Sequence, residues 1–211
     1  MFTNRKEAGI ALAKPLQRLG LHNPVVLALP RGGVPVGHEV ALALDAPLDV
    51  LLVRKIGAPG YEEYAVGAVA DGSDPQWIKD EEMLRQFGAP DGWFEAQVET
   101  QLAEIGRRRR IYCGTRAPEP LAGRDVVIVD DGLATGSTAR VALLALAGAG
   151  ARRLILAVPV APAETIARLR PLVDELVCLS TPEPFIAVGR HYDDFRQLED
   201  QEIIDLLAGR R

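Results

Sequence analysis

Apolar and polar positions alternate along the chain in blocks that change period, and those blocks predict its elements. Asn4 is placed to cap a helix whose apolar residues Ile10, Leu12, Ala13, Leu16 and Leu19 recur near helical spacing and stop at Gly20. The run Val25–Leu29, bounded by Pro24 and Pro30, predicts a short strand buried on both faces. The turn Arg31-Gly32-Gly33, a helical pattern over 34–44 and an apolar run over 48–53 then complete a β-α-β unit. From Arg54 to Gly72 the chain is rich in glycine and reads as a mobile loop or flap, with Ala65–Ala70 as a hairpin arm and Tyr61-Glu62-Glu63-Tyr64 as its tip. Helical patterns cover 80–87 and 91–112. Strands at 125–129, 153–158 and 175–179 then alternate with helices at 136–147 and 163–169.

Alternation of strand and helix implies an α/β fold, a central parallel sheet of about five strands flanked by helices. A helical and hairpin insert occupies roughly residues 56–120, and the segment 181–211, which ends in a helix over 200–207, leaves the rhythm and forms a small C-terminal hood. A length of 211 residues fits one domain over 1–211. No apolar run approaches the ~20 residues needed to span a bilayer, and the N-terminus lacks the pattern of a secretory signal, so the expected setting is cytoplasmic, with no membrane partner.

Charge narrows the partners. With 24 Lys and Arg against 29 Asp and Glu the net charge is −5, which argues against general nucleic-acid binding and leaves a small ligand in a local pocket. The two cysteines, Cys113 and Cys178, have no Cys or His neighbour at ligand spacing, and His22, His38 and His191 show none either.

The chemistry concentrates in Val126-Val127-Ile128-Val129-Asp130-Asp131-Gly132-Leu133-Ala134-Thr135-Gly136-Ser137-Thr138, an apolar strand leading through two acids into a hydroxyl-rich turn that opens a helix. Backbone N–H groups and hydroxyls at such a turn converge on one spot, and the helix dipole favours an anion there, so a phosphate monoester fits. Two carboxylates at the carboxyl end of a parallel strand can accept hydrogen bonds from vicinal sugar hydroxyls or hold water around Mg²⁺. Gly132–Gly136 lacks the ending of a P-loop, and Gly148-Ala149-Gly150 lacks the third glycine of a dinucleotide fingerprint. The competing interpretation is a plain helix cap and turn.

This segment resembles the loop of the type I phosphoribosyltransferases that binds phosphoribosyl pyrophosphate. The resemblance implies that Asp130 and Asp131 hold the ribose hydroxyls, and Mg²⁺ through water, while Ala134, Thr135, Gly136, Ser137 and Thr138 take the 5′-phosphate. Gly132 departs from the family's usual branched apolar residue. Pro30-Arg31-Gly32-Gly33 resembles the pyrophosphate loop, with Arg31 as its charge, and Arg31 joins the two acids as a candidate catalytic residue. Together with Arg54–Gly60, Ala65–Val69 and Pro182–Phe195, these motifs are similar over nearly the whole chain to a widespread bacterial group of the family, which implies a homodimer and leaves the acceptor open.

The tail is similar to the hood of hypoxanthine-guanine enzymes, which makes Phe185, with Ile186 beside it, the candidate acceptor pocket. Phe185 also fits a place in the core. One extra residue before Val188-Gly189, and Leu179 where that group has lysine, depart from a 6-oxopurine site; Ala134 stands where it has an aspartate, and Leu133-Ala134-Thr135-Gly136 is closer to adenine and uracil enzymes. Arg54 and Lys55 fit either pyrophosphate binding or a solvated strand end. Arg107–Arg110 fit either the same role or a solvated helix terminus. The expected activity is Mg²⁺-dependent transfer of phosphoribosyl from phosphoribosyl pyrophosphate to a small nitrogen acceptor, a nucleobase, with release of pyrophosphate; the alternative is a non-catalytic protein on the same fold that senses phosphoribosyl pyrophosphate or a nucleotide.

Overall fold

The computed structural model describes residues 1–72 and 74–209, and of Glu63 the backbone alone. Ser73 of the expected insert, the Glu63 side chain of the expected flap's tip, and Arg210 and Arg211 of the hood lie outside the described residues. Five parallel strands form the main sheet in the order β2 (Leu48–Val50), β1 (Val25–Ala28), β6 (Asp125–Val129), β7 (Arg153–Val160) and β8 (Glu175–Ser180). Because side chains alternate across a strand, β1 feeds two separate cores. Val26 and Ala28 pack on one face with Leu12 and Leu16 of α1 (Arg5–Gln17) and Val36 and Val40 of α2 (Gly33–Leu44). Val25 and Leu27 pack on the other with Ala139, Leu143 and Leu146 of α5 (Ser137–Leu146) and Leu169 of α6 (Ala163–Leu169). Both faces of the sheet are thus covered, as near-continuous apolar strands require. Asn4 caps α1, its side chain accepting from the Glu7 amide at 3.0 Å, and the helix runs through Pro15.

The segment expected as a loop or flap is instead a second sheet. β2 ends at Val50, and Val53 already begins β3 (Val53–Ala58), which pairs antiparallel with β4 (Tyr61–Ala70) and through it with β5 (Gln76–Lys79). Its glycines serve close approach. A Cβ on Gly57 would lie 2.4 Å from the Glu62 carbonyl oxygen, at a register shift in the β3–β4 pairing, and one on Gly67 would lie 2.5 Å from the Phe94 ring. Two helices, α3 (Glu81–Gln86) and α4 (Trp93–Cys113), complete the insert, and Phe94, Val98 and Ile105 of α4 join the core beneath β3 and β4.

A buried ion-pair network anchors α4 to the main sheet. Arg109 donates to Asp49 of β2, to Asp71 at 2.8 Å and to the Val50 carbonyl at 3.2 Å, and Arg116 reaches Asp49 at 3.1 Å. Beyond β8 the tail packs on the carboxyl end of the sheet. Phe2 and Tyr192 form an isolated parallel bridge, and α7 (Asp200–Ala208) buries Ile203 and Leu207 against α2 and α4. No described helix is long and apolar enough to cross a membrane.

Candidate functional site

The apolar strand β6 ends at Val129, and Asp130 and Asp131 follow at once, at the carboxyl end of the sheet, where ligands of parallel sheets bind. The Asp130 carboxylate accepts the Asp131 amide at 2.9 Å. Burial and the neighbouring charge of Asp131 hold the Asp130 carboxyl well above the usual aspartate range, and burial raises Asp131 too, against the opposing pull of Arg5. Such a crowded buried pair is poised to take hydroxyl donors or a cation. Among the described residues no three His, Cys, Asp or Glu side chains gather as a metal site. The acid pair therefore fits Mg²⁺ only as a partial donor set, with water and ligand phosphate oxygens supplying the rest, which is the habit of this ion.

The two glycine-bearing motifs touch. A Cβ on Gly32 would lie 2.1 Å from Asp131 Oδ2, and one on Gly33 would lie 2.6 Å from the Val129 carbonyl oxygen, so only glycine lets the 30–33 turn sit against the acids. The Pro30–Arg31 peptide in this turn is cis. On the other side, Gly136 takes a left-handed φ of 68° at the start of α5, and a Cβ there would strike Thr165. Thr165 and Arg168 of α6 brace the turn, donating to the Ala134 carbonyl at 2.8 Å and the Thr135 carbonyl at 3.2 Å. Thr135 and Ser137 share a hydroxyl hydrogen bond at 3.0 Å, while Ala134, Thr135 and Thr138 are exposed. The departure at Gly132 has a packing cause: its φ is 151°, and a Cβ would lie 2.6 Å from Val188 and 2.9 Å from Val160. The tail fills the volume that a side chain would need.

A cavity of about 440 Å³ opens beside these motifs, lined by Pro30 and Arg31, Leu51–Val53, Thr138, Arg107, Arg108, Ile111 and Tyr112 of α4, and Asp200. Arg31 lies 3.6 Å from Asp200, which also accepts from the Tyr112 hydroxyl at 3.1 Å. Helical periodicity divides the arginine run: Arg107 and Arg108 face the cavity and share Glu104, at 2.8 and 3.1 Å, while Arg109 turns inward to Asp49 and Asp71. Both interpretations of the run thus miss part of it, because one of its four residues is a buried anchor.

Other expected residues do not line the cavity: Gly32, Gly33, Asp130, Asp131 and residues 134–137 among them, and Arg54, Lys55, Phe185 and Ile186 as well. Arg54 is held by Gln101 and Glu104 of α4, and Lys55, its neighbour on the opposite face of β3, is exposed. Phe185 stacks on His191 with centroids 5.2 Å apart and packs beside Val188 and Tyr192, and Ile186 is 73% exposed.

Arg5 and Tyr192 carry no local signal in the sequence. Arg5 Nε donates to Asp131 Oδ2 at 2.7 Å, and the Tyr192 hydroxyl donates to the Asp131 carbonyl at 2.6 Å. Tyr112, Arg168 and Asp200 are likewise visible only in the folded chain, whereas the arginine run is the one conspicuous signal for Arg107 and Arg108.

Residues 3–194 match the family model described as phosphoribosyl transferase domain. Curated proteins from two strains of Mycobacterium tuberculosis, provisionally named phosphoribosyl transferases, are 44% identical over 207 residues, covering 98% of this chain and 46% of theirs. The chain spans about half the length of these relatives. The crystal structure of TT1426 from Thermus thermophilus superposes with a TM-score of 0.83 at 42% identity, covering 99% of this chain and 98% of that one. The AQ2163 protein of Aquifex aeolicus, at 15% identity and a TM-score of 0.53 over 96% of this chain and 84% of that one, shares the fold.

Proposed function

Because the chain belongs to the phosphoribosyl transferase family, we propose that it transfers the phosphoribosyl group of phosphoribosyl pyrophosphate to a nitrogen atom of a small acceptor, a nucleobase. The C1–O bond to pyrophosphate breaks, a C1–N bond forms, and the acceptor nitrogen gives up its proton. The observation that carries this reading is the contact between the two motifs, Gly32 against the Asp131 carboxylate, with Arg31 and Thr138 lining one cavity. A ligand with a phosphate at one end, a diol in the middle and a pyrophosphate at the other matches that order of groups.

In this reading the turn 134–138 binds the 5′-phosphate through amides, hydroxyls and the N-terminus of α5. Asp130 and Asp131 fix the ribose diol, which places C1 for attack. Arg31, Gly32 and Gly33 receive the pyrophosphate, and Arg107 and Arg108, which line the same cavity as Arg31, add charge. Mg²⁺, when bound, neutralises charge that develops on the leaving pyrophosphate. Asp130 and Asp131 would hold the ion through water. Of the expected site residues only Arg31 and Thr138 line the cavity, so on this reading the ligand extends beyond it over Gly32, Gly33, the acid pair and the turn 134–137, and Arg54, Lys55, Phe185 and Ile186 likewise act from outside it. The family resemblance carries over a homodimer as part of the same reading.

The test is calorimetric titration with phosphoribosyl pyrophosphate and Mg²⁺, followed by a panel of nucleobases while pyrophosphate release is monitored. Binding with release for one base supports the transferase and identifies its acceptor. Binding with no release for any base favours the sensing alternative, and no binding at all overturns the assignment of Asp130–Thr138.

A further inference from the structure

The N-terminal segment and the tail after β8 meet on one carboxylate. Residues 2–3 run alongside 191–194, with the Phe2 amide donating to the His191 carbonyl at 2.8 Å and the Asp193 and Asp194 amides donating to the Phe2 and Thr3 carbonyls, both at 2.9 Å. At the end of this pairing Arg5 makes three contacts at once. Its Nε donates to Asp131 Oδ2 at 2.7 Å, its Nη1 donates to the Arg196 carbonyl at 3.0 Å, and its guanidinium carbon lies 3.9 Å above the centroid of the Phe195 ring. Phe195 stacks on Tyr192 with centroids 5.1 Å apart, and the Tyr192 hydroxyl returns to the Asp131 carbonyl at 2.6 Å. Asp131 is therefore gripped at its side chain by the start of the chain and at its backbone by the tail.

We propose that Arg5 is a positioning residue for the ribose-binding carboxylate, and that through it the paired segments 2–3 and 191–194 set the preference for a sugar with both hydroxyls of the diol. The inference rests on the assignment of Asp131 to the ribose. Its physical basis is that a carboxylate 13% exposed needs a compensating cation to stay in one place, and that the fork and flat face of a guanidinium fix direction where an ammonium fixes only distance. Arg5 engages Oδ2, and among the described residues no donor from another residue reaches Oδ1, so one oxygen is held while the other is left for a ligand. With Arg5 gone, the side chain of Asp131 is free to rotate away from the diol, whereas the phosphate turn 134–138, braced by Thr165 and Arg168 of α6, is untouched.

Three ligands separate these effects: ribose 5-phosphate, 2-deoxyribose 5-phosphate and inorganic phosphate, titrated calorimetrically into the wild type, Arg5→Met and Arg5→Lys, with thermal melts to show that each variant is folded. The wild type is expected to prefer the ribose compound over its deoxy analogue. Arg5→Met is expected to lower that preference roughly tenfold while its affinity for phosphate stays within about twofold, and Arg5→Lys, which keeps the charge, recovers part of the preference. An unchanged preference in Arg5→Met, or an equal fall for all three ligands, shows a merely structural tie and overturns the proposal. If Arg5→Met does not fold, Tyr192→Phe, which removes only the hydroxyl bond to the Asp131 backbone, must lower the preference in the same sense or the proposal fails. A wild type that binds phosphate with no preference for the hydroxyl overturns the ribose assignment itself, an outcome visible before any variant is made.

Discussion

At the scale of single residues the site is governed by contacts too short to admit another atom. Gly32 has φ −58° and ψ −37°, which any residue adopts, so alanine there carries no backbone penalty. Its constraint is entirely the Asp131 carboxylate, 2.1 Å from where the Cβ would stand. Gly32→Ala is therefore expected to remain folded, with a stability loss of about 1–3 kcal/mol from overpacking, and to lose about tenfold or more in affinity for phosphoribosyl pyrophosphate because the carboxylate must move. Calorimetry beside a urea melt checks both, and unchanged affinity would mean that the pyrophosphate turn and Asp131 do not act on one ligand. Asp131→Asn tests the same contact from the other partner. It keeps the shape and removes the charge, and it is expected to reduce turnover by about two orders of magnitude in the pyrophosphate-release assay; wild-type turnover would remove Asp131 from the mechanism.

Secondary elements explain what the sequence could and could not tell. β1, β6, β7 and α6 are legible because local apolar period dictates them and their surroundings are the generic two cores of a covered sheet. The insert misleads because Gly57, Gly60, Gly67 and Gly72 are the residues of a loop by composition, while Gly57 and Gly67 serve packing inside strands, against Glu62 and Phe94. The acid pair and the turn after it are legible as one continuous motif. The Arg5 to Asp131 bond, made across 126 residues, is not, since no local pattern encodes which distant cation will meet a carboxylate. The α4 arginines sit between these cases: the run is obvious, and its division needs the helix phase. That phase predicts a graded series. Arg109→Ala leaves Asp71 buried without its cation and Asp49 with Arg116 alone, and is expected to cost about 3–5 kcal/mol, read in a urea melt. Arg107→Ala and Arg108→Ala are expected to leave the melt nearly unchanged and to weaken pyrophosphate binding severalfold, and Arg110→Ala, on the exposed side of the helix, to change neither. Equal effects from all four would mean that the run acts only as diffuse charge.

For the whole molecule the question is what joins the insert to the main sheet, and the answer carries a pH dependence. Asp71 follows β4 directly and sits at the junction of the two sheets, exchanging hydrogen bonds with Leu52: its Oδ1 accepts the Leu52 amide at 2.7 Å, and its own amide donates to the Leu52 carbonyl at 2.9 Å. The Arg109 guanidinium and the Leu52 amide favour its charged form, but burial outweighs them, the charge of Asp49 adds to burial, and the Asp71 carboxyl is pushed up to about 6. The unfolded chain releases this proton near the ordinary aspartate value of about 3.9. Between those two values the native state holds more protons than the unfolded state, so stability from this group is greatest below pH 4, falls as pH rises, and levels off above pH 6. The fall is roughly 1–3 kcal/mol. Asp71→Asn cannot titrate. Its melting curve relative to the wild type is therefore expected to gain across pH 4 to 6 and to run parallel above that, on top of a constant cost for the altered pairing with Arg109. A difference that stays flat from pH 4 to 8 would show that Arg109 holds Asp71 ionised throughout. The junction would then be a fixed ion pair, and the orientation of α4, with Arg107 and Arg108 at the cavity, would be insensitive to mild acid.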